Sequence, residues 1–134
     1  MTYLLDTNVC VVYMRGKNAL VRSRVLSHPP ADLCVCSVVV AELRHGAERS
    51  ADPAAEHAKV DQFLAPYRSL PFDDDAARVF GQLRADLEAK GTIIADLDIA
   101  IAAIAVVHAL KVVTHNAKDF ARVPGLTVED WEVP

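Results

Sequence analysis

The sequence has no long apolar run, and this shortage excludes a membrane-spanning protein. The longest such run, residues 99–107, is about half of the roughly 20 residues that a transmembrane helix needs. Asp6 interrupts the apolar residues near the amino terminus, so a signal peptide is not expected. These features predict a cytoplasmic protein that does not associate with membranes.

The sequence also has no excess of basic residues. Its 14 Lys and Arg are outnumbered by 18 Asp and Glu, which gives a net charge of -4. A compact protein that binds nucleic acid by charge alone is normally basic. Any contact with RNA or DNA would therefore need local arginines and lysines, or metal ions that offset the acids.

Glycine and aromatic residues are few, whereas Ala, Val and Leu are abundant. With 52% hydrophobic residues, only 6% aromatics and five glycines, the composition suits α/β or helical packing better than a β-sandwich. A chain of 134 residues without linkers, repeats or low-complexity tracts is expected to form one domain, residues 1–134.

Cysteine is also scarce, and its pattern argues against disulfides. The three cysteines are Cys10, Cys34 and Cys36, an odd number with two in a strand-like Cys-Val-Cys pattern. A zinc site from Cys34, Cys36 and a histidine stays conceivable, although no Cys-x2-Cys or His-x3-His spacing supports it. We expect buried free thiols.

Short apolar segments alternate with amphipathic segments along the chain. The apolar segments predict strands at 3–5, 33–36, 111–114 and 126–128, with a brief extended piece at 70–72. The amphipathic segments predict helices at 7–15, 17–27, 38–49, 54–67, from 73 until Lys90-Gly91, and 96–109. This alternation predicts an α/β three-layer sandwich with a central, mostly parallel sheet of four to five short strands.

Helix ends carry their own signals. Thr7 or Asn8 is expected to cap the first helix, Ser37 the third and Asp96 the sixth. Gly16 is expected to end the first helix. Gly46 lies within the third helix, where its lack of a side chain would allow close packing.

Four acidic residues stand in apolar surroundings. Asp6 closes the first strand, Glu42 lies among valines and leucine in the third helix, and Asp98 begins the most apolar helix. Asp119 follows the strand that ends in Thr114. An ionised carboxylate in such a place is costly unless it is paired or binds a cation. Mg²⁺ or Mn²⁺, which prefer oxygen ligands, would satisfy several converging carboxylates.

Each of these acids also has a purely structural interpretation. Asp6 and Asp98 could serve only as charges at a helix start. Glu42 could pair with Arg44 or His45 on a solvated face. Asp119 could be an ordinary turn residue.

Five blocks of the chain resemble one known family. The sequence is similar to PIN-domain ribonucleases, and specifically to toxins of the VapC type from bacterial toxin–antitoxin pairs. The similarity rests on YLLDTN at 3–8, SVVVAELRHGA at 37–47, DIAIAA at 98–103, VTHNAKDF at 113–120 and VPGLTVEDW at 123–131.

The resemblance implies a parallel sheet with acids at its carboxyl edge, Mg²⁺ or Mn²⁺, and endonucleolytic cleavage of RNA. Asp6, Glu42 and Asp98 match acids of the family. The fourth acid of many members stands where this chain has Asn116, and Asp119 is the alternative for that role. This departure leaves open whether one or two metal ions bind.

The resemblance also implies partners. These are an antitoxin of the VapB type that inserts a segment, often with an arginine, into the acidic groove, and a second copy of the chain in a homodimer. Operator DNA would be bound only through the antitoxin. The RNA substrate is expected to be a tRNA or an rRNA.

The resulting hypothesis is attack on an RNA phosphodiester by a metal-activated water. Asp6, Asp98 and Glu42 would hold the metal, with Asp119 as a further catalytic acid. Metal-bound water or phosphate oxygens would receive hydrogen bonds from Thr7, Asn8, Thr114 and Asn116. The candidates for contact with the RNA backbone are Arg15, Lys17, Arg44 and Lys118, and the alternative is that each is an ordinary surface charge.

Two other functions remain open. A binding module with the same fold but weakened chemistry is favoured only by Asn116. A phosphoaspartate-type phosphatase would need a second Asp two residues after Asp6, where Asn8 stands.

Overall fold

Five short strands form one sheet in which every neighbouring pair is parallel. The computed structural model describes residues 1–134. Its strands are β1 (Tyr3–Leu5), β2 (Leu33–Cys36), β3 (Arg68–Leu70), β4 (Lys111–Val113) and β5 (Val128–Glu129), in the order β3-β2-β1-β4-β5. Parallel neighbours require crossover connections, and helices provide them. The predicted α/β architecture is confirmed, and the sheet is entirely parallel.

Seven α-helices and one 3-10 helix (Pro30–Asp32) connect the strands. The α-helices are α1 (Thr7–Arg15), α2 (Ala19–Leu26), α3 (Ser37–Glu48), α4 (Pro53–Leu64), α5 (Asp74–Ala89), α6 (Asp96–Val107) and α7 (Ala117–Phe120). None of these helices combines the length and the apolar character needed to cross a membrane.

The strand order explains why helices cover both faces of the sheet. From β1 the chain moves outward through β2 to the edge strand β3, then returns past β1 to β4 and β5. Right-handed crossovers that run in opposite directions place their helices on opposite faces. The helix pairs α1–α2 and α3–α4 therefore lie on one face and α5–α6 on the other, which produces three layers.

Helix α6 is buried along most of its length. Every residue from Ile99 to Ala105 lies in the interior, as the nearly continuous apolar sequence predicted. The strands β2 and β4 pack against this interior, and the three cysteines are free and buried, as expected.

The two outer strands differ by a few residues from their predicted positions. Strand β3 occupies 68–70 rather than 70–72, because Pro71 has no N–H to donate to the sheet. Strand β5 begins at Val128, since the N–H of Leu126 turns back to the carbonyl of Val123.

Three predicted helix caps were wrong, because in each case an earlier residue precedes the helix. Helix α1 is capped by Asp6, whose Oδ1 accepts from the N–H of Thr7 at 2.8 Å. Cys36 and Ala95 precede α3 and α6, so Ser37 and Asp96 are first helical residues. The carboxylate of Asp96 pairs instead with Arg84, Nε to Oδ1 3.0 Å. Gly16 ends α1 with φ 70°, as predicted.

Candidate active site

Asp6 lies where the chain changes direction across the sheet. Strand β1 leads towards β2, whereas β4 leads towards β5 on the opposite side. Ligands of open parallel sheets bind in the crevice that such a reversal creates at the carboxyl ends of the strands. Thr114, which follows β4, donates from Oγ1 to Asp6 Oδ2 at 2.7 Å. The reversal therefore joins two side chains that are 108 positions apart in sequence.

Asp6 is a buried carboxylate without a cationic partner. The residue is 4% exposed, and no lysine, arginine or histidine forms an ion pair with it. Burial raises the pKa of Asp6, and the charge of Glu42 acts in the same direction. Hydrogen bonds from Thr114 and from the N–H of Thr7 oppose this rise. The charged form is thus oriented by donors but lacks a counter-charge.

Glu42 is connected to Asp6 through Thr7. The hydroxyl of Thr7 donates to Glu42 Oε1 at 2.8 Å, while the N–H of the same residue donates to Asp6. Helices α1 and α3 follow adjacent parallel strands, so their first turns lie side by side at the carboxyl edge of the sheet. Glu42 therefore faces the crevice.

The structural interpretation of Glu42 as a partner of Arg44 was wrong. Arg44 turns to helix α4, where its Nη2 pairs with Asp61 at 2.5 Å and its Nη1 donates to the carbonyl of His57 at 3.3 Å. This arrangement ties α3 to α4 and leaves Glu42 with Thr7 as its hydrogen-bond partner.

Asp98 carries the clearest electrostatic signature of the site. It lies in the first turn of α6 and is half-buried. Burial, followed by repulsion from Asp6, Glu42 and Asp119, raises the pKa of Asp98 to about 6. A hydrogen bond from Asn116 lowers the pKa only in part. The other three predicted acids therefore all act on Asp98 in a single crevice.

Asn116 and Asp119 both belong to this crevice rather than competing for one position. Asn116 Nδ2 lies 3.1 Å from Asp119 Oδ2 and 3.4 Å from Asp98 Oδ2. The N–H of Asn116 also donates to Thr114 Oγ1 at 2.9 Å. The amide thus links two carboxylates, and Asp119 supplies a fourth acid next to the amide. Four carboxylates thus form an acidic crevice, namely those of Asp6, Glu42, Asp98 and Asp119.

One residue at this site was not foreseen. Arg122 Nη1 lies 3.7 Å from Asp119 Oδ1 and 3.5 Å from the carbonyl of Ile93, in the segment that leads into α6. The i,i+3 spacing from Asp119 was the only sequence signal, and it predicts little without knowledge of the fold.

Some predicted participants form no side-chain hydrogen bond or ion pair with the four acids. Asn8 is exposed on α1, and its side chain takes part in none of the hydrogen bonds that connect the acids. Lys17 and Lys118 are exposed, and Arg44 is held by α4.

The donor set of the acidic crevice fits a hard divalent cation. It consists of carboxylate oxygens with neighbouring hydroxyl and amide oxygens, which are the ligands preferred by Mg²⁺ and Mn²⁺. Cys36 lies close enough for Asp6 and Glu42 to act on its thiol. Burial raises the pKa of Cys36 to about 11, and sulfur is in any case a poor ligand for Mg²⁺ and Mn²⁺.

A groove between α1, α3 and α4 opens beside Glu42. It encloses about 580 Å³, and its walls combine apolar and charged side chains, namely Val11, Met14, Arg15, Glu42, Leu43, Glu56, Lys59 and Val60. Gly46 also lines this helix groove, and a Cβ at that position would meet no atom within 4 Å. The expected close packing at Gly46 was therefore wrong, because the residue faces open space.

The sequence of this chain matches a known protein family and several named relatives. The sequence profile described as PIN domain matches residues 3–126. The tRNA(fMet)-specific endonuclease VapC of Salmonella typhimurium is 37% identical over 131 residues, which cover 98% of both chains. Ribonuclease VapC2 of Rickettsia felis is 33% identical over 133 residues, covering 98% of this chain and 99% of that protein.

The fold is also similar to a solved toxin–antitoxin complex. A chain of the DNA-bound VapBC complex from Salmonella typhimurium superimposes with a TM-score of 0.92 at 37% identity. The alignment covers 98% of each chain.

Proposed function

Because the chain belongs to the PIN-domain family, we propose that it is a metal-dependent endoribonuclease that acts as the toxin of a type II toxin–antitoxin pair and inhibits translation. The observation that carries this proposal is the acidic crevice, where four carboxylates converge and the pKa values of Asp6 and Asp98 are raised. No cationic side chain pairs with Asp6, Glu42 or Asp98. The relatives named endonuclease and ribonuclease support the reaction class.

Asp6, Glu42 and Asp98 would hold Mg²⁺ or Mn²⁺, with Asp119 beside them. When bound, the ion would supply positive charge to the phosphate and lower the pKa of a water molecule. Asp98, whose pKa is about 6, shares its surroundings with three other acids, so loading the site near neutral pH releases any proton that Asp98 retains.

The remaining polar residues act by orienting the acids. The N–H of Thr7 donates to Asp6 and its hydroxyl donates to Glu42, so Thr7 fixes the position of one carboxylate relative to the other. Thr114 holds the other oxygen of Asp6. Asn116 donates to Asp98 and Asp119, so it reduces the repulsion between them. Such supporting hydrogen bonds tune the affinity of a metal site.

An RNA substrate needs cations near the crevice, because the chain is acidic overall. Arg15 lines the helix groove next to Glu42, and Arg122 with Lys118 flanks Asp119. These residues would contact phosphates on either side of the scissile bond. Initiator tRNA is the first substrate to test, since one relative is named tRNA(fMet)-specific, and an rRNA loop is the second.

The helix groove suits an antitoxin of the VapB type. Its apolar walls would receive an amphipathic segment, and Glu42, which has no cationic partner, would attract a basic side chain on that segment. Such a segment would compensate the acidic crevice whenever metal is absent. The similar complex from Salmonella is DNA-bound, and for the present chain we expect contact with operator DNA only through the antitoxin, and a homodimeric toxin.

The test is cleavage of purified tRNA and rRNA by the antitoxin-free protein. With Mg²⁺ or Mn²⁺ we expect discrete fragments, and with a chelator none. Asp6→Asn and Asp98→Asn should each reduce the rate by at least about a hundredfold, comparable to the loss of a group that stabilises the transition state. Asp86→Asn, on the exposed face of α5, is the matched control. Cleavage by both crevice variants at the wild-type rate would show that the site is assigned wrongly.

A binding module without catalysis is the second candidate, and Asn116 is the observation that favours it. The carboxylate of Asp119, 3.1 Å from the Asn116 amide, argues against the loss of a fourth acid. Calorimetric titration with Mg²⁺ or Mn²⁺ separates the two functions. No binding at millimolar metal, together with intact RNA, would favour the module.

A further inference from the structure

A second set of metal-ligating side chains lies outside the acidic crevice. His115 Nδ1 is 3.0 Å from Asp130 Oδ2 and 3.4 Å from Glu132 Oε2, and the three ligand atoms all lie within 4.8 Å of one another. We propose that His115, Asp130 and Glu132, here called the C-terminal triad, bind a transition metal ion such as Zn²⁺. This site is independent of the proposed nuclease function.

The backbone brings the three residues together. Val113 pairs with Glu129 in the sheet, and the N–H of Thr114 donates to the carbonyl of Glu129 at 3.0 Å. His115 and Asp130, which follow Thr114 and Glu129, therefore leave the two strands side by side. This placement comes from strand pairing and does not depend on flexible side chains.

A tight turn then returns Glu132 to the same place. The N–H of Glu132 donates to Asp130 Oδ1 at 2.9 Å, which leaves Oδ2 to face His115. Between the two acids, Trp131 is 3% exposed and stacks on His28 with ring centroids 5.2 Å apart. Because the indole is fixed in the interior, both carboxylates are held in position before any ion binds.

The charge balance of the triad calls for a cation. The side chains of Asp130 and Glu132 are only 16% and 19% exposed, and their sole ion-pair partner is His115. Arg24 is near, but it donates to the backbone carbonyl of Asp130 and not to the carboxylate. Two largely buried carboxylates that share one imidazole lack full compensation.

The ligand types and spacing select the class of metal. One imidazole nitrogen and two carboxylate oxygens suit Zn²⁺ and related transition ions better than Mg²⁺. With ligand distances of about 2.0–2.1 Å, neighbouring ligands of tetrahedral zinc are about 3.3 Å apart. The two separations from His115, 3.0 and 3.4 Å, are close to this value, and the two carboxylate oxygens lie within 4.8 Å of each other. Zinc would replace the proton that otherwise joins Nδ1 to the carboxylates.

The test uses full-length protein in which Asp6→Asn and Asp98→Asn remove two acids of the crevice. Zn²⁺ alone is titrated at pH 7.5 by calorimetry and by the fluorescence of Trp131, the only tryptophan of the chain. We expect one equivalent to bind and to change the emission, because Trp131 lies between two ligands. If the double variant does not fold, the wild-type protein is titrated with Mg²⁺ present in excess.

Two further substitutions identify the ligands. His115→Ala and Glu132→Gln should each weaken Zn²⁺ binding by roughly tenfold or more, since even the loss of groups that only support a ligand costs 10–100-fold. The matched control is His108→Ala at the exposed end of α6, which should leave the affinity unchanged. The proposal is overturned if the protein binds no Zn²⁺, or if the affinity is the same with and without His115 and Glu132.

Discussion

The hydroxyl of Thr114 donates to Asp6 Oδ2 at 2.7 Å and accepts the N–H of Asn116 at 2.9 Å. Thr114 is fully buried, so its hydroxyl is not exposed to solvent. One side chain after β4 thereby orients the acid that follows β1 and fixes the start of the segment that carries Asn116 and Asp119.

Replacing Thr114 by the isosteric valine should damage the crevice without leaving a cavity. The buried Asp6 oxygen and the N–H of Asn116 lose their partner, and an unsatisfied buried group costs about 1–3 kcal/mol of unfolding free energy. Affinity for Mg²⁺ should fall by roughly 10–100-fold. Denaturant unfolding and calorimetry measure the two effects. Thr127→Val, at an exposed threonine, is the control, and equal affinities for the two variants would refute the role of Thr114.

The stability of metal-free protein should fall as the pH rises from about 4 to about 6. Asp98 has a pKa of about 6 in the folded chain and an ordinary value of 3.8, so the folded state binds more protons than the unfolded state in this interval. Stability therefore decreases with pH. Burial also raises the pKa of Asp6, so Asp6 adds to the same decrease of stability with pH.

Thermal unfolding in a chelator measures this dependence. We expect a higher Tm at pH 5 than at pH 7, a weaker dependence in Asp98→Asn, and an unchanged one in Asp86→Asn. Mg²⁺ added at pH 7 should restore the lost stability by binding only the folded state. A Tm that rises steadily from pH 4 to pH 7 would contradict the electrostatic description of the crevice.

Asn116→Asp should make the protein more dependent on metal. The change replaces a donor shared by Asp98 and Asp119 with a further negative charge. Metal-free protein should have a lower Tm at pH 7.5, whereas the increase of Tm on adding Mg²⁺ should exceed that of the wild type. Asn116→Ala, which loses the donor but adds no charge, should show no larger increase than the wild type. Identical behaviour of the two variants would exclude an electrostatic role for position 116.

Two helical glycines offer a test of the helix groove. A Cβ at Gly46 in α3 or at Gly81 in α5 would meet no atom within 4 Å, so alanine should stabilise each helix by about 0.5–1 kcal/mol. Only Gly46 lines the helix groove. If the antitoxin binds there, Gly46→Ala should weaken its binding, measured by calorimetry, while Gly81→Ala should not. Equal antitoxin affinities would place the partner elsewhere.

Short-range patterns in the chain were sufficient to predict most of the elements. The first strand, the helix that Gly16 ends, the strand at 33–36 and the buried helix from Asp96 were all identified, because hydrophobic period and capping act over a few residues. The same patterns marked Asp6, Glu42, Asp98 and Asp119 as acids in apolar surroundings. Resemblance to a family supplied their proposed roles, which stay predictions.

Other features depended on contacts between distant parts of the chain. The contacts of Asn116 and Asp119 with the other acids, and the pairing of Arg44 with Asp61, were decided only when the fold brought these residues together. The C-terminal triad likewise requires the pairing of β4 with β5. No local rule predicts such proximity, because side chains more than 100 positions apart meet only through the topology of the sheet, as Thr114 meets Asp6.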